Sequence, residues 1–475
     1  MKNIPILFAL LCLPLFGQLP TPYYASGNSY QQLTGSGDVG AAINAALTNC
    51  ASTGCVIDAT GWTLSGSPST VMTINKAAVV RLPPGTVTNR IVISASTVEL
   101  WGAGEAISGG VGTLIAPASG VSITIGASAP IFNIHVHNLT TVGYATCISV
   151  NPSGVNYVSA FSIEKVSCLD ATGDGIYISN SSYNFVLRDV DSTYNGGYGI
   201  HLDGVQGGAQ TSEAELDNVY LLGNTLDQFY ANATLGLLLN HLSAAGATTG
   251  YYGIHLMDTQ STTIIEPWLE GNAGYMLFQS CHGVTVTGGY LNQTGTQKGL
   301  VIGFDATPNY NQDWSIDIPS WINTSSATRV DDSLHTTGTY GIQLLRHGGA
   351  GATANPFQPS DVLGFGTNYP VHGITFPLLG EISTPYTGTS GTATCSQASL
   401  GFPSLISCQL NGYANTGTAQ TYVYPQPMGF LNPILTIAPS GSCGTYNPTA
   451  TYNTITLPAN AGMTAETCQF TVVGQ

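Results

Sequence analysis

GDGIYI at 173–178, GYGIHL at 197–202 and GYYGIHL at 250–256 are three forms of one phrase. Each opens an extended segment, and a second apolar phrase follows at a similar lag. Aligned on its leading apolar residue, the second phrase falls at Val136, Ile163, Leu187, Leu216, Leu239, Ile265 and Val286, in steps of 27, 24, 29, 23, 26 and 21 residues. Self-similarity at such a period marks a stack of short supersecondary units, each burying its apolar face on the next. The units have strand chemistry and no room for a long helix. The sequence therefore predicts an all-β right-handed parallel β-helix, and this fold presents a long flank to a long polymer.

Side chains alternate along a strand, so Ile200 and Leu202 should point inward and His201 outward. The second phrase reads apolar-x-x-apolar, as in Leu187-Arg188-Asp189-Val190 and Leu216-Asp217-Asn218-Val219. Two polar residues between inward ones mark a tight corner. Asn138, Asn218 and Asn240 fall there, as suits a residue that tolerates left-handed backbone. The same corner should stack Glu164, Arg188 and Asp217 as an ion-pair ladder.

Before the repeat, GDVGAAINAALTNCAS at 37–52 places Val39, Ile43, Ala46 and Leu47 on one helical face, with Asp38 as N-cap. A lone amphipathic helix at about 38–48 is a cap over the open end of the coil, whose strand edges would otherwise invite association. The repeat is clean from about 121 to 305 and fades into an irregular end at about 306–385. From 386 to 475 the composition turns to Thr, Ser and Gly alternation with four Cys, expected to form a separate small β-sandwich. At the other end, MKNIPILFALLCLPLFG at 1–17 reads as a secretory signal peptide, too short to span a bilayer. The expected domains are thus 1–17, 18–385 and 386–475, and the expected location is extracellular or cell-surface.

Only 7% of the residues are charged and the net charge is −16, yet 43% are hydrophobic and 58 are Gly. Disordered acidic chains are poor in apolar residues, so neutral polar surface has replaced charge here. A strongly acidic body has no electrostatic reason to bind nucleic acid. It should also repel anionic glycans unless a cation bridges them. No later segment is apolar enough for membrane insertion. Nine Cys follow the signal. Outside the cell they read as disulfides: Cys50 with Cys55, Cys147 with Cys168 on adjacent coils, and two pairs among Cys395, Cys408, Cys443 and Cys468, with Cys281 left buried.

The repeat, the cap and VELWGAGEAISGGVGTLIAP at 98–117 resemble the secreted pectate-lyase-like superfamily of parallel β-helices, over roughly 35–305. That superfamily includes pectin and rhamnogalacturonan lyases, polygalacturonases, epimerases and phage tailspikes. The last 90 residues resemble small β-domains appended to secreted bacterial and phage-tail β-helices. The resemblance implies a polysaccharide-active protein whose cleft lies over one parallel sheet, and it leaves the reaction open.

The outward ladder of that sheet should run Tyr177, His201, Tyr230, His255 on consecutive rungs. Aromatic faces suit sugar rings, and His exchanges protons near neutral pH. His201 and His255 are therefore candidate catalytic residues; the plain alternative is a polar ladder stacked for stability. TGDGI at 172–176 is similar to a polygalacturonase element, which makes Asp174 a third catalytic candidate. The paired aspartates expected on the next rung are replaced by Gly197 and Tyr198, so the second carboxylate of a hydrolase is missing. Tyr177, Tyr230, Asp203, Trp268 and Glu270 are sugar-contacting candidates, the last two expected in a loop beside the same sheet. Trp314 and Trp321 are further candidates for the groove wall. Asp170 and Asp191, with Asp174, could supply oxygen ligands to Ca²⁺, as a uronate lyase would use. Lyase and hydrolase both stand as readings, beside a non-catalytic glycan-binding or adhesin-like helix and a homotrimeric tailspike-like shaft.

Overall fold

The computed structural model describes residues 29–51, 54–106, 111–150, 156–293, 297–303, 311–323 and 328–331, and separate strands between 339 and 474. One sheet stacks twelve parallel strands, from Met72–Ile74 through Ile176–Ser179, Ile200–Asp203, Phe229–Asn232 and Tyr252–Met257 to Val362–Leu363. The remaining strands of each coil join a second sheet of 22 strands. Its long members are bent by single residues. Strand Ser182–Thr193 turns at Asn184 and Asp189, and strand Thr211–Leu222 turns at Glu213 and Asn218, all four with φ between 50° and 55°. Each coil is thus a three-sided turn whose corners are left-handed residues, positions that Asn and Asp fill more readily than β-branched ones. Parallel strand–connection–strand units of this kind wind right-handed in about 98% of cases.

The corner phrase was read correctly except at two points. The first is the left-handed residue of strand Thr234–Ala245, which is His241 and not Asn240. The second falls at one coil. Val136, Ile163, Leu187, Leu216 and Leu239 are register partners in succession, but the next partner is Ile264, not Ile265. Ile264 is fully buried and pairs with Val286, while Ile265 faces outward. The coil carries one residue fewer before its corner than the alignment assumed. At the corner, Arg188 bridges Asp217 (3.2 Å), as predicted, and also Glu215 (3.3 Å); Glu164 is its register partner on the preceding coil, but no ion pair joins the two among the described residues. Exposed pairs of this sort contribute about 0–1 kcal/mol.

The interior is a column of Ile, Leu, Val and Phe. Phe161 and Phe185 stack with ring centroids 4.8 Å apart, and each fully buried aliphatic or aromatic side chain contributes roughly 1.5–3 kcal/mol. Helix Val39–Asn49 closes the end where the first strands lie. Asp38 caps it by accepting from the Ala41 amide (3.1 Å), and Val39, Ile43, Ala46 and Leu47 are buried beneath it.

The sequence repeat fades at 306 but the helix continues as end coils: strand Ser315–Ile318 pairs in parallel with the preceding coil and with strand Ile342–Gly348, and strand Thr328–Asp331 extends the twelve-stranded sheet. Two expectations about this stack need correction. Trp314 and Trp321 fill its core and wall no groove; their indole N–H groups donate to the Cys281 carbonyl (2.9 Å) and Gln293 Oε1 (2.8 Å). Bulky Trp in place of Ile is what hid the repeat. Cys147 and Cys168 are neighbouring buried thiols without a bridge, whereas Cys50 and Cys55 are joined and Cys281 is buried as expected.

Beyond residue 380 the pairing becomes antiparallel. Strands Ile382–Thr384, Thr392–Gln397, Ser404–Tyr413, Ile434–Ala438 and Glu466–Gly474 form one sheet, and Gln420–Val423, Thr449–Ala450 and Thr454–Leu457 another. The packing expected of a sandwich and the side chains of its four Cys lie outside the described residues, as does the signal sequence at 1–17.

Candidate functional site

The outward column of the twelve-stranded sheet is the predicted one. Tyr177, His201, Tyr230 and His255 are register partners on four consecutive rungs. Their rings do not lie face to face. Each meets the next edge-on, with centroids 5.0, 5.1 and 4.8 Å apart and interplanar angles of 69°, 71° and 76°.

A second column runs beside the first, three residues earlier in the chain: Asp174, Tyr198 and Asp227 in the turns that lead into their strands, and Tyr252 at the start of its strand. Read together, successive rungs carry Asp174-x-x-Tyr177, Tyr198-x-x-His201, Asp227-x-x-Tyr230 and Tyr252-x-x-His255. The hydrogen bonds follow this alternation. His201 Nδ1–H donates to Asp174 Oδ2 (2.9 Å), and the Tyr198 amide donates to Asp174 Oδ1 (2.9 Å). Two rungs on, His255 Nδ1–H donates to Asp227 Oδ2 (2.8 Å), and the Tyr252 amide donates to Asp227 Oδ1 (2.6 Å). Each carboxylate therefore spends one oxygen on a backbone amide and the other on fixing an imidazole tautomer.

The two dyads differ at the far nitrogen. His255 Nε2 lies 2.7 Å from Gln279 Oε1. His201 Nε2 has no such partner among the described residues, and it sits within an aromatic box formed by Tyr177, Tyr198 (4.5 Å between centroids) and Tyr230. Tyr198 also stacks on Tyr230, with centroids 5.0 Å apart and planes 23° apart. Burial, then the charges of Asp227 and Asp174, push the Tyr198 phenol up to about 12. Burial, then Tyr198 and Asp203, raise Tyr230 further still. Both phenols keep their protons across the physiological range and can act as donors.

The loops bearing Tyr198 and Asp227 are held from within by buried asparagines. Asn195 Oδ1 accepts from the Ala171 amide (2.9 Å), and Asn224 Oδ1 accepts from both the amide and the side chain of Asn195 (3.0 and 2.8 Å). Asn224 Nδ2 in turn donates to the Ser192 carbonyl (3.0 Å) and Gln228 Oε1 (2.7 Å). Between these asparagines and the strands the backbone passes so closely that a Cβ at Gly175 would stand 2.0 Å from Ser192 Oγ. Glycine is needed at that point for approach. On the opposite border, Asp203 Oδ2 accepts from the Tyr177 hydroxyl (3.1 Å), and Gln206 crosses from its loop to donate to Asp258 (3.0 Å).

The structure brings Asp174, Tyr177, His201, Asp203, Tyr230 and His255 together. It does not bring Trp268 and Glu270 to them. These two occupy strand Trp268–Glu270 of the other sheet, in register with Ser243 and Ala245, and not a loop beside the groove. There Trp268 packs beside Tyr290 (4.4 Å) and its indole N–H donates to Glu270 (3.3 Å). The acidic set named for Ca²⁺ is dispersed as well. Asp174 is committed to His201, Asp170 is exposed at a corner with φ 52°, and Asp191 faces outward on the neighbouring side, accepting from Ser167 (3.5 Å). Among the described residues no three His, Cys, Asp or Glu converge as metal ligands. Nor is any described helix long and apolar enough to cross a membrane.

Asp227, Tyr198, Tyr252 and Gln279 were missed in the sequence. The signal was present: Asp227-Gln228-Phe229 repeats the spacing of Asp174-Gly175-Ile176, but two rungs on instead of one.

The winding defines the class: a parallel β-helix. No family model and no curated protein sequence matches the chain. Among solved structures it is similar to the ORF18 protein of Geobacillus virus E2 (10% identity, TM-score 0.34, 72% of this chain and 64% of that one). Two others are DFA-IIIase of Arthrobacter chlorophenolicus A6 (10%, 0.38, 73% and 99%) and the A-module of the mannuronan C-5 epimerase AlgE4 of Azotobacter vinelandii (14%, 0.32, 74% and 95%). The chain spans about two thirds of the length of the viral protein.

Proposed function

We propose that this protein is an extracellular polysaccharide-cleaving enzyme that works by β-elimination at a uronate, with His201 as the base. The observation that carries the reading is the Asp174–His201 dyad, whose Nε2 has no partner among the described residues and whose ring is bordered by Tyr177, Tyr198 and Tyr230. Nε2 takes the proton from the ring carbon next to the uronate carboxylate. The C–H pair becomes a C=C bond, the glycosidic C–O bond breaks with its electrons on the leaving oxygen, and the Tyr198 or Tyr230 phenol protonates that oxygen. The protonated His201 then returns a proton to the phenolate.

Hydrolysis fits less well. It needs one carboxyl group that carries and delivers a proton, and in Asp174 and Asp227 both oxygens are already taken, one by a backbone amide and one by an imidazole. The test is the mature protein with polyuronates and neutral glucans, following unsaturated ends and reducing ends separately. Unsaturated ends appearing with reducing ends are expected. Reducing ends alone would overturn elimination, and binding without any product would make the protein a glycan-binding helix.

Charge sets a condition on this activity. Asp174, Asp203, Asp227 and Asp258 border the groove, where Lys298 is paired with buried Asp331 (2.5 Å), so an anionic chain is repelled on approach. Raising salt from 0.01 to 0.15 M shortens the Debye length from ~30 to ~8 Å. KM for a polyuronate should fall several-fold over that range with kcat little changed. A KM that rises with salt would mean that a cationic surface binds the polymer.

A further inference from the structure

Over the four rungs from Tyr177 to His255, between Ser149 and Leu277 on the flanking rungs, the two outward columns alternate with a period of two rungs, and two rungs measure ~10 Å. A pyranose in an extended chain advances by about one rung. A polymer lying along the stack therefore meets His, Tyr, His, Tyr rungs in turn, and equivalent chemistry recurs only at every second sugar. We infer that the groove is built for a polymer with a two-sugar repeat, in which uronates alternate with neutral residues. This rests on the elimination reading for the chemistry, but the register follows from the geometry alone.

Three observations support it. The Asp–His dyads at 174/201 and 227/255 match bond for bond, down to the backbone amide on the second carboxylate oxygen. The intervening rungs have no dyad: they present Tyr177, whose hydroxyl donates to Asp203, and Tyr230, packed between the two imidazoles. A carboxylate on a Tyr177 rung would face Asp203, whereas a neutral sugar would find a phenol edge. The far nitrogens then divide the labour. His201, whose Nε2 has no partner among the described residues, meets the uronate that reacts, and His255, both of whose ring nitrogens are held by Asp227 and Gln279, packs its ring against the sugar that carries the next uronate. His255 is in this sense a binding residue, one disaccharide from the reacting bond.

The test uses the mature protein and four probes: hyaluronan and unsulfated chondroitin, which alternate uronate with a neutral amino sugar, and polygalacturonate and polymannuronate, which do not. Binding and unsaturated-product formation are measured for each. The alternating pair should bind at least tenfold more tightly, and the products should contain even numbers of sugars. His255→Gln, checked for an unchanged melting temperature, should raise KM about tenfold on long alternating chains and leave KM within twofold for a disaccharide, whose single uronate does not reach residue 255. Equal or tighter binding of the homopolymers, binding of none of the four, or odd-numbered products would overturn the inference. Selective binding of the alternating pair without unsaturated products would keep the two-sugar register and overturn elimination. Should His255→Gln fail to fold, the comparison of the four polymers with the unmodified protein decides alone.

Discussion

His201→Ala should abolish turnover, with at least a 10³-fold loss in kcat, and leave the melting temperature within a few degrees. The imidazole lies on the outer face of its strand, its ring packs against other outward rings, and Ile200 and Leu202 beside it carry the core contacts. Asp174→Asn is the sharper test. The amide can present an N–H to Nδ1, which would force the His201 proton onto Nε2 and remove the lone pair that the reaction needs. Loss of the correct tautomer and of general base catalysis is worth roughly 10²–10⁴ in rate. The Tyr198 amide would still find an oxygen, so the loop should stay in place. A chain in which both variants retain full activity has its catalytic centre elsewhere.

The second large effect is structural. Asn224→Ala removes an acceptor from Asn195 and a donor from the Ser192 carbonyl and Gln228, all inside the coil where no water replaces them. Each buried group left unpaired costs about 1–3 kcal/mol, so a loss of at least ~3 kcal/mol is expected in denaturant unfolding. The loops at 195–199 and 224–228 carry Tyr198 and Asp227, and turnover should fall with stability. A loss below 1 kcal/mol would show that the coil relaxes to pair these groups another way.

The fold was legible because a coil imposes a period on its core. Ile, Leu and Val recur wherever a strand turns inward, and Ile176, Ile200 and Ile254 mark the rungs directly. The period was lost where volume, not hydropathy, fills the core: Trp314 and Trp321 occupy space that smaller residues fill elsewhere. The outward ladder was legible for the same reason as the core, since its members sit one residue from the inward ones. The site was half legible. Asp174 was found, but its hydrogen bond to His201 was not, because the partner lies on the next rung and 27 residues away in sequence. Asp227 was passed over because the comparison was made between adjacent rungs. Trp268 was misplaced because its strand follows a corner, and a corner sends the chain to a different face without changing its local composition.

The paired rungs also limit how such a protein can grow. From Asp174 to Asp227 is 53 residues (227 − 174), and from His201 to His255 is 54 (255 − 201). Duplicating one such block would lengthen the flank and keep every dyad in phase. Inserting a single coil would bury its core equally well, yet it would place two Tyr rungs or two His rungs side by side and break the alternation downstream. Stability is indifferent to parity and the groove is not. The smallest insertion that preserves this surface is therefore two coils, although one coil is enough to extend the core.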